Sequence, residues 1–333
     1  MAHPPDPARD PRVASLLRAA RAAAASIAAV GDPARLAGGS VVEKGAAGPA
    51  TVADLAAQAA ITITLRSALG PATRIVAEES LEEAERLGGP ALVAAAHAAV
   101  AAGGIDVDEQ SLRAALASGG DSGGGGSFWT VDPLDGTKGY LRGGQFAVAI
   151  ALVEGGRPAL GALVAPRLGA GGHDAGDGVV ALAAAGGGAF QSRLGAWEPV
   201  RLAARPWLPG SPIRVAGSVE KAHSASDSLE ALIAAVAPVA PVRIDSQAKY
   251  LLVARGDADC YVRRSPAADY RECIWDHAAG SLVATEAGAT VTDALGRPMD
   301  FSEGRRLVGG SGVLCTAPGL HAPMLRALAA AAS

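Results

Sequence analysis

The chain has 333 residues, 29 Lys and Arg against 33 Asp and Glu, and a formal net charge of −4. That length can bury a large core, and the absence of a basic tract argues against binding a nucleic-acid polymer; a small anionic ligand held by local positive groups fits better. Half of the residues are hydrophobic but only 4% are aromatic, so small side chains carry much of the packing, and three cysteines without metal-type spacing (Cys260, Cys273, Cys315) read as free thiols in a reducing compartment.

In chain order, residues 1–10 are Pro-rich and show no secretory pattern. An Ala-rich helix is expected over about 10–30, a second over 51–69, and a strand over 74–78. Charge and Gly interrupt the Ala-rich segments, so no apolar run is expected to span a membrane, and a cytoplasmic location is the expectation. Residues 81–127 read as a less regular insertion, with helices near 91–101 and 108–117 and a Gly-rich stretch over 118–127 that has the composition of a flexible connector. No Gly-Lys-Ser/Thr follows that stretch, which argues against a phosphate loop. Strands are expected near 129–132, 146–153, 159–165 and 178–184, with a turn at Glu154-Gly-Gly-Arg157. Pro206, Pro209 and Pro212 cluster before a second alternation of helices and strands, so the boundary is drawn between an α+β unit, 1–208, and an α/β unit, 209–333.

The stretch Trp129-Thr-Val-Asp-Pro-Leu-Asp-Gly-Thr-Lys-Gly-Tyr140 sets Asp132 and Asp135 three residues apart, where a buried strand is expected to exit into a rigid turn. Pro133 fixes φ and Gly136 permits a sharp turn beside the second acid. Two carboxylates held that close need a shared proton or a cation. With Thr137 adding a hydroxyl and no nearby His or Cys, oxygen-only ligands suit Mg²⁺ or Mn²⁺ better than Zn²⁺. Taken alone, Asp-Pro-x-Asp-Gly is also an ordinary β-turn.

Companion segments favour the metal reading. Arg74-Ile-Val-Ala-Glu-Glu-Ser80 ends in Glu78 and Glu79, and Ile274-Trp-Asp-His-Ala-Ala-Gly280 puts Asp276 just inside an expected helix start. Asp54 has a plain reading as a first-turn helix acid. Further on, Arg243-Ile-Asp-Ser-Gln-Ala-Lys-Tyr250 reads as a strand entering a helix, with Ser246 as N-cap and Lys249 in the first turn, a natural phosphate cradle. Asp259-Cys-Tyr-Val-Arg263 adds a guanidinium suited to bidentate phosphate contact. Taken singly, His223 reads as a surface-loop residue, Lys249 as a solvated helix charge, and Arg263 with Arg264 as a surface pair.

Asp-Pro-Leu-Asp-Gly-Thr-Lys-Gly-Tyr at 132–140, Trp-Asp-His-Ala-Ala-Gly at 275–280, Ala-Glu-Glu-Ser at 77–80 and Thr-Val-Ala-Asp at 51–54 stand in order along the chain. In these blocks the chain resembles the lithium-sensitive, metal-dependent sugar-phosphatase superfamily, which includes inositol monophosphatases, fructose bisphosphatases and 3′(2′),5′-bisphosphate nucleotidases. Ala77 stands where that family usually has Gly. The resemblance implies an α/β (α+β layered) sandwich with alternating α/β/α/β/α layers and a site between two domains. It implies that Glu78, Asp132, Asp135, Asp276 and the Leu134 carbonyl are metal ligands, with Glu79 standing behind them. It further implies that Asp54 and Thr137 orient and deprotonate an attacking water, with two or three Mg²⁺ ions as cofactor and Li⁺ as inhibitor.

Val219-Glu-Lys-Ala-His-Ser224, Asp245-Ser-Gln-Ala-Lys-Tyr250 and Asp259-Cys-Tyr-Val-Arg263 look like the bisphosphate nucleotidase branch. By that likeness Thr137, His223, Ser246, Lys249, Arg263 and Asp276 contact adenosine 3′,5′-bisphosphate, which would be cut to AMP and phosphate without a phospho-enzyme; 3′-phosphoadenylyl sulfate is a related expectation. Ser226 departs from a position where that branch often has a second histidine. The competing expectations are an inositol phosphate substrate and a non-catalytic sensor of the nucleotide.

Overall fold

The structure, a computed structural model, describes residues 5–31, 41–43, 49–169, 172–175, 177–219, 225–265, 267, 269–309 and 311–330. Helix α1 (Pro11–Val30) starts where the Asp10 side chain accepts the Arg12 amide and Pro11 occupies the first turn. A short antiparallel ribbon, β1 (Val41–Glu43) with β2 (Pro49–Thr51), leads into α2 (Val52–Leu69) and β3 (Ile75–Ala77). Then come α3 (Leu81–Ala102), α4 (Glu109–Ala117), β4 (Ser127–Asp135), α5 (Thr137–Leu141), β5 (Ala147–Glu154) and β6 (Arg157–Ala165). A small ribbon, β7 (Leu168–Gly169) with β8 (Gly172–Ala175), precedes β9 (Val179–Ala184), β10 (Gly188–Arg193) and β11 (Val200–Arg201). These strands build a seven-stranded sheet ordered β11-β10-β9-β6-β5-β4-β3, antiparallel except for the β3/β4 pair.

The remaining chain forms β12 (Ile213–Gly217), α6 (Ala225–Ala234), β13 (Val239–Arg243), α7 (Ala248–Arg255), β14 (Cys260–Arg264), α8 (Ala278–Glu286), β15 (Thr290–Thr292), β16 (Gly312–Thr316) and α9 (His321–Ala330). Its five-stranded sheet is ordered β13-β12-β14-β16-β15, with β12 parallel to both of its neighbours. Strand β5 reads as an unbroken apolar run because both its faces are buried: Val148, Ile150 and Leu152 face α1 and α2, while Ala149, Ala151 and Val153 join the cluster containing α7 and α8. That second cluster also takes in Ala216, Tyr261, Val313 and Cys315 of the smaller sheet, so α7 and α8 lie between the two sheets. Leu229 and Ile233 of α6 and Met324 and Leu328 of α9 cover the smaller sheet's far face. The layers therefore alternate α/β/α/β/α, as the sequence blocks imply.

Small residues make the middle layer thin. A Cβ on Gly161 of β6 would meet the Ala279 Cα of α8 at 3.3 Å, and one on Gly280 would overlap the Tyr250 ring. The three cysteines are free thiols, with Cys260 and Cys315 buried.

Three expectations need correction. By length and composition α1 and α2 are apolar enough to cross a membrane, with mean hydropathies of 1.5 and 1.2. Their apolar faces, Leu16, Ala20, Ala23 and Ile27 on α1 and Ala53, Ala57, Ile61 and Leu65 on α2, are spent in one cluster with the larger sheet. The Gly-rich stretch is not slack either. Gly123 to Gly126 all take positive φ, and the chain wraps one guanidinium: Arg74 Nη1 donates to the Gly125 carbonyl at 2.7 Å, Nη2 to that of Gly123 at 3.1 Å, and Nε to Asp121 Oδ2 at 3.0 Å. A tight turn of backbone carbonyls around a fixed cation is an alternative to disorder that composition alone does not reveal. In the same insertion α3 begins ten residues earlier than expected, at Leu81, and is interrupted by Gly89 at φ 63 just before Pro90.

Burial pushes the Asp121 carboxyl up, but its bonds from Arg74 and the Gly123 amide outweigh that and hold it below the usual carboxylate range. Its contribution is therefore complete above the unfolded value and fades as pH falls through the folded one. Arg74→Ala is expected to open residues 122–126 to limited proteolysis and to lower stability by about 1–3 kcal/mol in urea unfolding; a variant as protease-resistant as the parent would show that the guanidinium does not hold the segment.

Candidate active site

The two acids of the central motif do not follow the strand; they are inside it. β4 stays paired with β5 up to Asp132↔Ala149 and resumes at Asp135↔Ala147, three residues against two. On a regular strand positions three apart face opposite ways, but one extra residue restores the match, so both acids share the side of Ala149 and Ala147. Pro133 falls in this bulge, where its missing N–H breaks no ladder bond. The face so chosen looks toward α7, α8 and the smaller sheet.

Beyond Asp135 the chain turns at Gly136, φ 86, where a Cβ would press on Ser246 at 3.1 Å. Thr137 then opens α5 and its hydroxyl donates to the Leu134 carbonyl at 3.3 Å. Glu78 follows β3, its amide donating to the Val131 carbonyl at 3.1 Å, which keeps it beside β4. Ala77 serves here without glycine because its backbone stays in the strand, with its carbonyl accepting from Arg305 Nη2 at 2.6 Å. Glu79 is buried, and the Gln58 amide clamps its backbone, accepting from the N–H at 2.8 Å and donating to the carbonyl at 2.9 Å. Gln58 lies one turn along α2 from buried Asp54, so that clamp ties the helix carrying Asp54 to the segment carrying Glu78.

From the other side, Asp276 comes two residues before α8 rather than inside it. The Ile274 carbonyl accepts from both His277 and Ala278, and the helix begins only at Ala278. Ser246 is likewise not the N-cap of α7; Gln247 is, and Ser246 stands before it with φ 71. A non-glycine residue in that conformation is uncommon and strained. Ser246 Oγ still accepts from the Ala248 amide at 3.2 Å, and the Gln247 amide donates to Asp135 Oδ2 at 2.5 Å, joining the two sheets' loops at the acids. Lys249 is no solvated charge: its side chain is buried, Nζ donates to the Ser246 carbonyl at 3.2 Å and stands 5.6 Å over the Tyr261 ring, and burial lowers its pKa. Arg263, from β14, is 41% exposed, with Nη2 at 3.4 Å from Glu272 and Nη1 at 3.8 Å from Asp276. His223 lies outside the described residues.

One cavity of about 310 Å³ is lined by the acids Asp135 and Asp276 and by a basic wall of Ser246, Lys249 and Arg263, the two meeting where Arg263 Nη1 lies 3.8 Å from Asp276; Glu78, Asp132 and Thr137 are not among its lining residues. Lys138, Arg142 and Asp245 line it too and are absent from the sequence reading of the site. Arg142 Nη2 donates to Asp245 Oδ2 at 2.6 Å across the sheets' boundary. Only the position of Asp245, inside the block 245–250, hinted at it. Buried Glu272 and His277 were missed as well, although they flank Asp276 in sequence; with it they could hold a metal ion, their donor atoms lying within 4.8 Å of one another.

The electrostatics are severe at the acids. Burial first, then Glu78, Asp135 and Asp276, pushes the Asp132 carboxyl well above the usual carboxylate range, and its Oδ1 has no hydrogen-bond partner among the described residues. Asp276 is pushed up to about 6 by burial, with Asp135 and Glu272 adding to the rise and His277 and Arg263 opposing it. Such a set, all hard oxygen donors with one buried oxygen unclaimed, fits divalent Mg²⁺. At Glu272 the balance differs, because the Arg263 guanidinium already brings positive charge there.

Comparison with known proteins agrees with the fold. Residues 12–332 match the inositol monophosphatase family. A 3′(2′),5′-bisphosphate nucleotidase of Oryza sativa is 39% identical over 246 residues, 67% of this chain and 65% of that protein. One of Schizosaccharomyces pombe is 36% identical over 217 residues, 62% of this chain and 61% of that protein. The chain thus spans slightly under two thirds of the length of these relatives. Among solved structures, the extragenic suppressor protein suhB of Bartonella henselae superposes with a TM-score of 0.62 at 22% identity, covering 97% of this chain and 98% of that one. CysQ of Bacteroides thetaiotaomicron, a bacterial member of the inositol monophosphatase family, gives 0.60 at 22% identity, covering 91% and 96%. With a match that runs almost from end to end and the same layered fold, this chain belongs to the inositol monophosphatase family.

Proposed function

We propose that this protein is a Mg²⁺-dependent phosphatase that removes the 3′-phosphate of adenosine 3′,5′-bisphosphate to give AMP and phosphate, and that it also accepts 3′-phosphoadenylyl sulfate. The observation that carries the reading is one cavity lined both by acids, Asp135 and Asp276, and by a basic wall of Lys249 and Arg263 with Ser246. A phosphate monoester to be cut belongs at the acids, and the wall is suited to a second phosphate that is kept. The nucleotidase relatives point to the same substrate.

Glu78, Asp132, Asp135, Asp276 and the Leu134 carbonyl would hold the Mg²⁺ ions, which supply charge neutralisation for the phosphoryl group and its leaving oxygen. Asp54 and Thr137 act together on water: the carboxylate takes the hydroxyl's proton, and the hydroxyl oxygen then accepts one from the water as it attacks phosphorus in line. Ser246, Lys249 and Arg263, with His223, hold the 5′-phosphate, and Asp276 and Thr137 border the bond that breaks. Anchoring a remote phosphate converts binding energy into alignment of the reacting one. Li⁺ inhibits by taking the place of one Mg²⁺ with half its charge.

Asp135→Asn is expected to abolish turnover, measured as phosphate release in Mg²⁺, with an unchanged circular dichroism spectrum. Asp132→Asn separates stability from activity: in EDTA it relieves buried repulsion and raises Tm by about 2 °C or more, yet Mg²⁺ stabilises it less than the parent. A lower Tm in EDTA would mean that Asp132 is not held against its own charge. Lys249→Ala is expected chiefly to raise KM. Because burial lowers the Lys249 pKa, the KM of the parent should climb with pH at values below the ordinary lysine range of about 10.4; equal KM in parent and variant would remove Lys249 from the pocket. Inositol 1-phosphate, assayed in parallel, is expected to be the poorer substrate, and the reverse preference would overturn the pocket while keeping the metal site.

A further inference from the structure

Arg263 is a long side chain at a cavity wall, and a guanidinium there binds phosphate well only if something aims it. Two carboxylates flank it, and they are not equivalent. Asp276 is shared with the acid cluster around Asp132. Glu272, whose side chain is wholly buried, adjoins Asp276 but is not among the groups that act on Asp132, and it lies 3.4 Å from Arg263 Nη2. Its backbone is pinned, with the Leu307 amide donating to its carbonyl at 2.9 Å. Behind it, His277 Nε2 packs 3.6 Å from the same Glu272 oxygen, a contact too long for a hydrogen bond, and His277 Nδ1 is 2.8 Å from the Tyr250 hydroxyl. Tyr250 is itself immobilised against Gly280, where no Cβ would fit.

We propose that Glu272 is a positioning residue for substrate selection, holding Arg263 toward the retained phosphate and braced from behind by His277 and Tyr250; this rests on the reading of the basic wall given above. At 3.4 Å the contact is longer than a tight charge-assisted bond of about 2.7–2.9 Å, so the carboxylate orients the guanidinium without engaging its fork fully. The remaining N–H donors stay available for two parallel bonds to a phosphate. A short bidentate pair would have used those donors up.

The test compares kcat/KM on adenosine 3′,5′-bisphosphate and on adenosine 3′-monophosphate, which lacks the retained phosphate, at one Mg²⁺ concentration. The parent enzyme is expected to prefer the bisphosphate. Glu272→Gln, nearly the same shape without the charge, should shrink that preference about tenfold, through the KM of the bisphosphate more than through kcat. In an Arg263→Gln background the same change should add nothing to the loss, because the effect runs through Arg263. Tyr250→Phe, which removes only the hydroxyl behind His277, should shrink the preference about threefold, and it serves where Glu272→Gln fails to fold. Equal losses on both substrates, or a full effect of Glu272→Gln without Arg263, would overturn the proposal. A parent enzyme with no preference would instead overturn the reading of the basic wall.

Discussion

Four carboxylates meet at the C-terminal end of β4, and their mutual repulsion is the constraint around which this protein is built. Two unit charges 4 Å apart repel by about 4 kcal/mol at an effective dielectric of 20, and Asp132 is nearly excluded from solvent. No single loop could hold such a group against itself. Each acid is instead fixed by a different part of the chain: Asp132 and Asp135 by a bulge in a buried strand, Glu78 by a backbone bond from β3 to β4, and Asp276 by the turn that starts α8. The cost of assembling them is set against the large apolar clusters on both faces of the seven-stranded sheet.

The same logic accounts for the middle layer. Helices α7 and α8 each deliver polar groups to the cavity at their N-terminal ends and bury their bodies between two sheets. For those ends to reach the acids, the helices must lie close to their neighbours, hence Gly161 under Ala279 and Gly280 under Tyr250. Scarcity of aromatics and abundance of Ala and Gly in the composition are thus tied to close approach in the layer that carries the site. Gly136 and Ser246 make the complementary adjustment at the loops, both in the left-handed region, so that Asp135 can accept from the Gln247 amide.

Opposite charges adjoin in the cavity: Arg263 Nη1 lies 3.8 Å from Asp276, and Arg142 pairs with Asp245. Lys249 and Arg263 are held from the second sheet's side, close enough to the acids to be felt by them but tied locally to the Ser246 carbonyl and to Glu272. Holding these two cations on the second sheet's side gives a ligand with two anionic ends a definite direction. It also limits direct neutralisation of Asp132, whose Oδ1 remains unclaimed by any side chain or amide among the described residues.

Much of this was legible in the primary structure. The runs of Ala and branched residues, the turn at Glu154–Arg157 and the spacing of acids in Asp-Pro-Leu-Asp-Gly are local properties, and local chemistry determined the helices α1, α2 and α4, the main strands and the candidate acids. What composition misjudged was decided by partners far away in sequence. The Gly-rich segment reads as slack until Arg74 is placed inside it, and Lys249 as a solvated charge until Tyr261 and the second sheet cover it. Asp132 and Asp135 reach one side only because the register shift against β5 restores their parity, and Glu272 acquires a role only when β14 brings Arg263 beside it. Side-chain chemistry is written residue by residue, but burial, register and the nearness of opposite charges are properties of pairs, and only the folded chain determines which pairs meet.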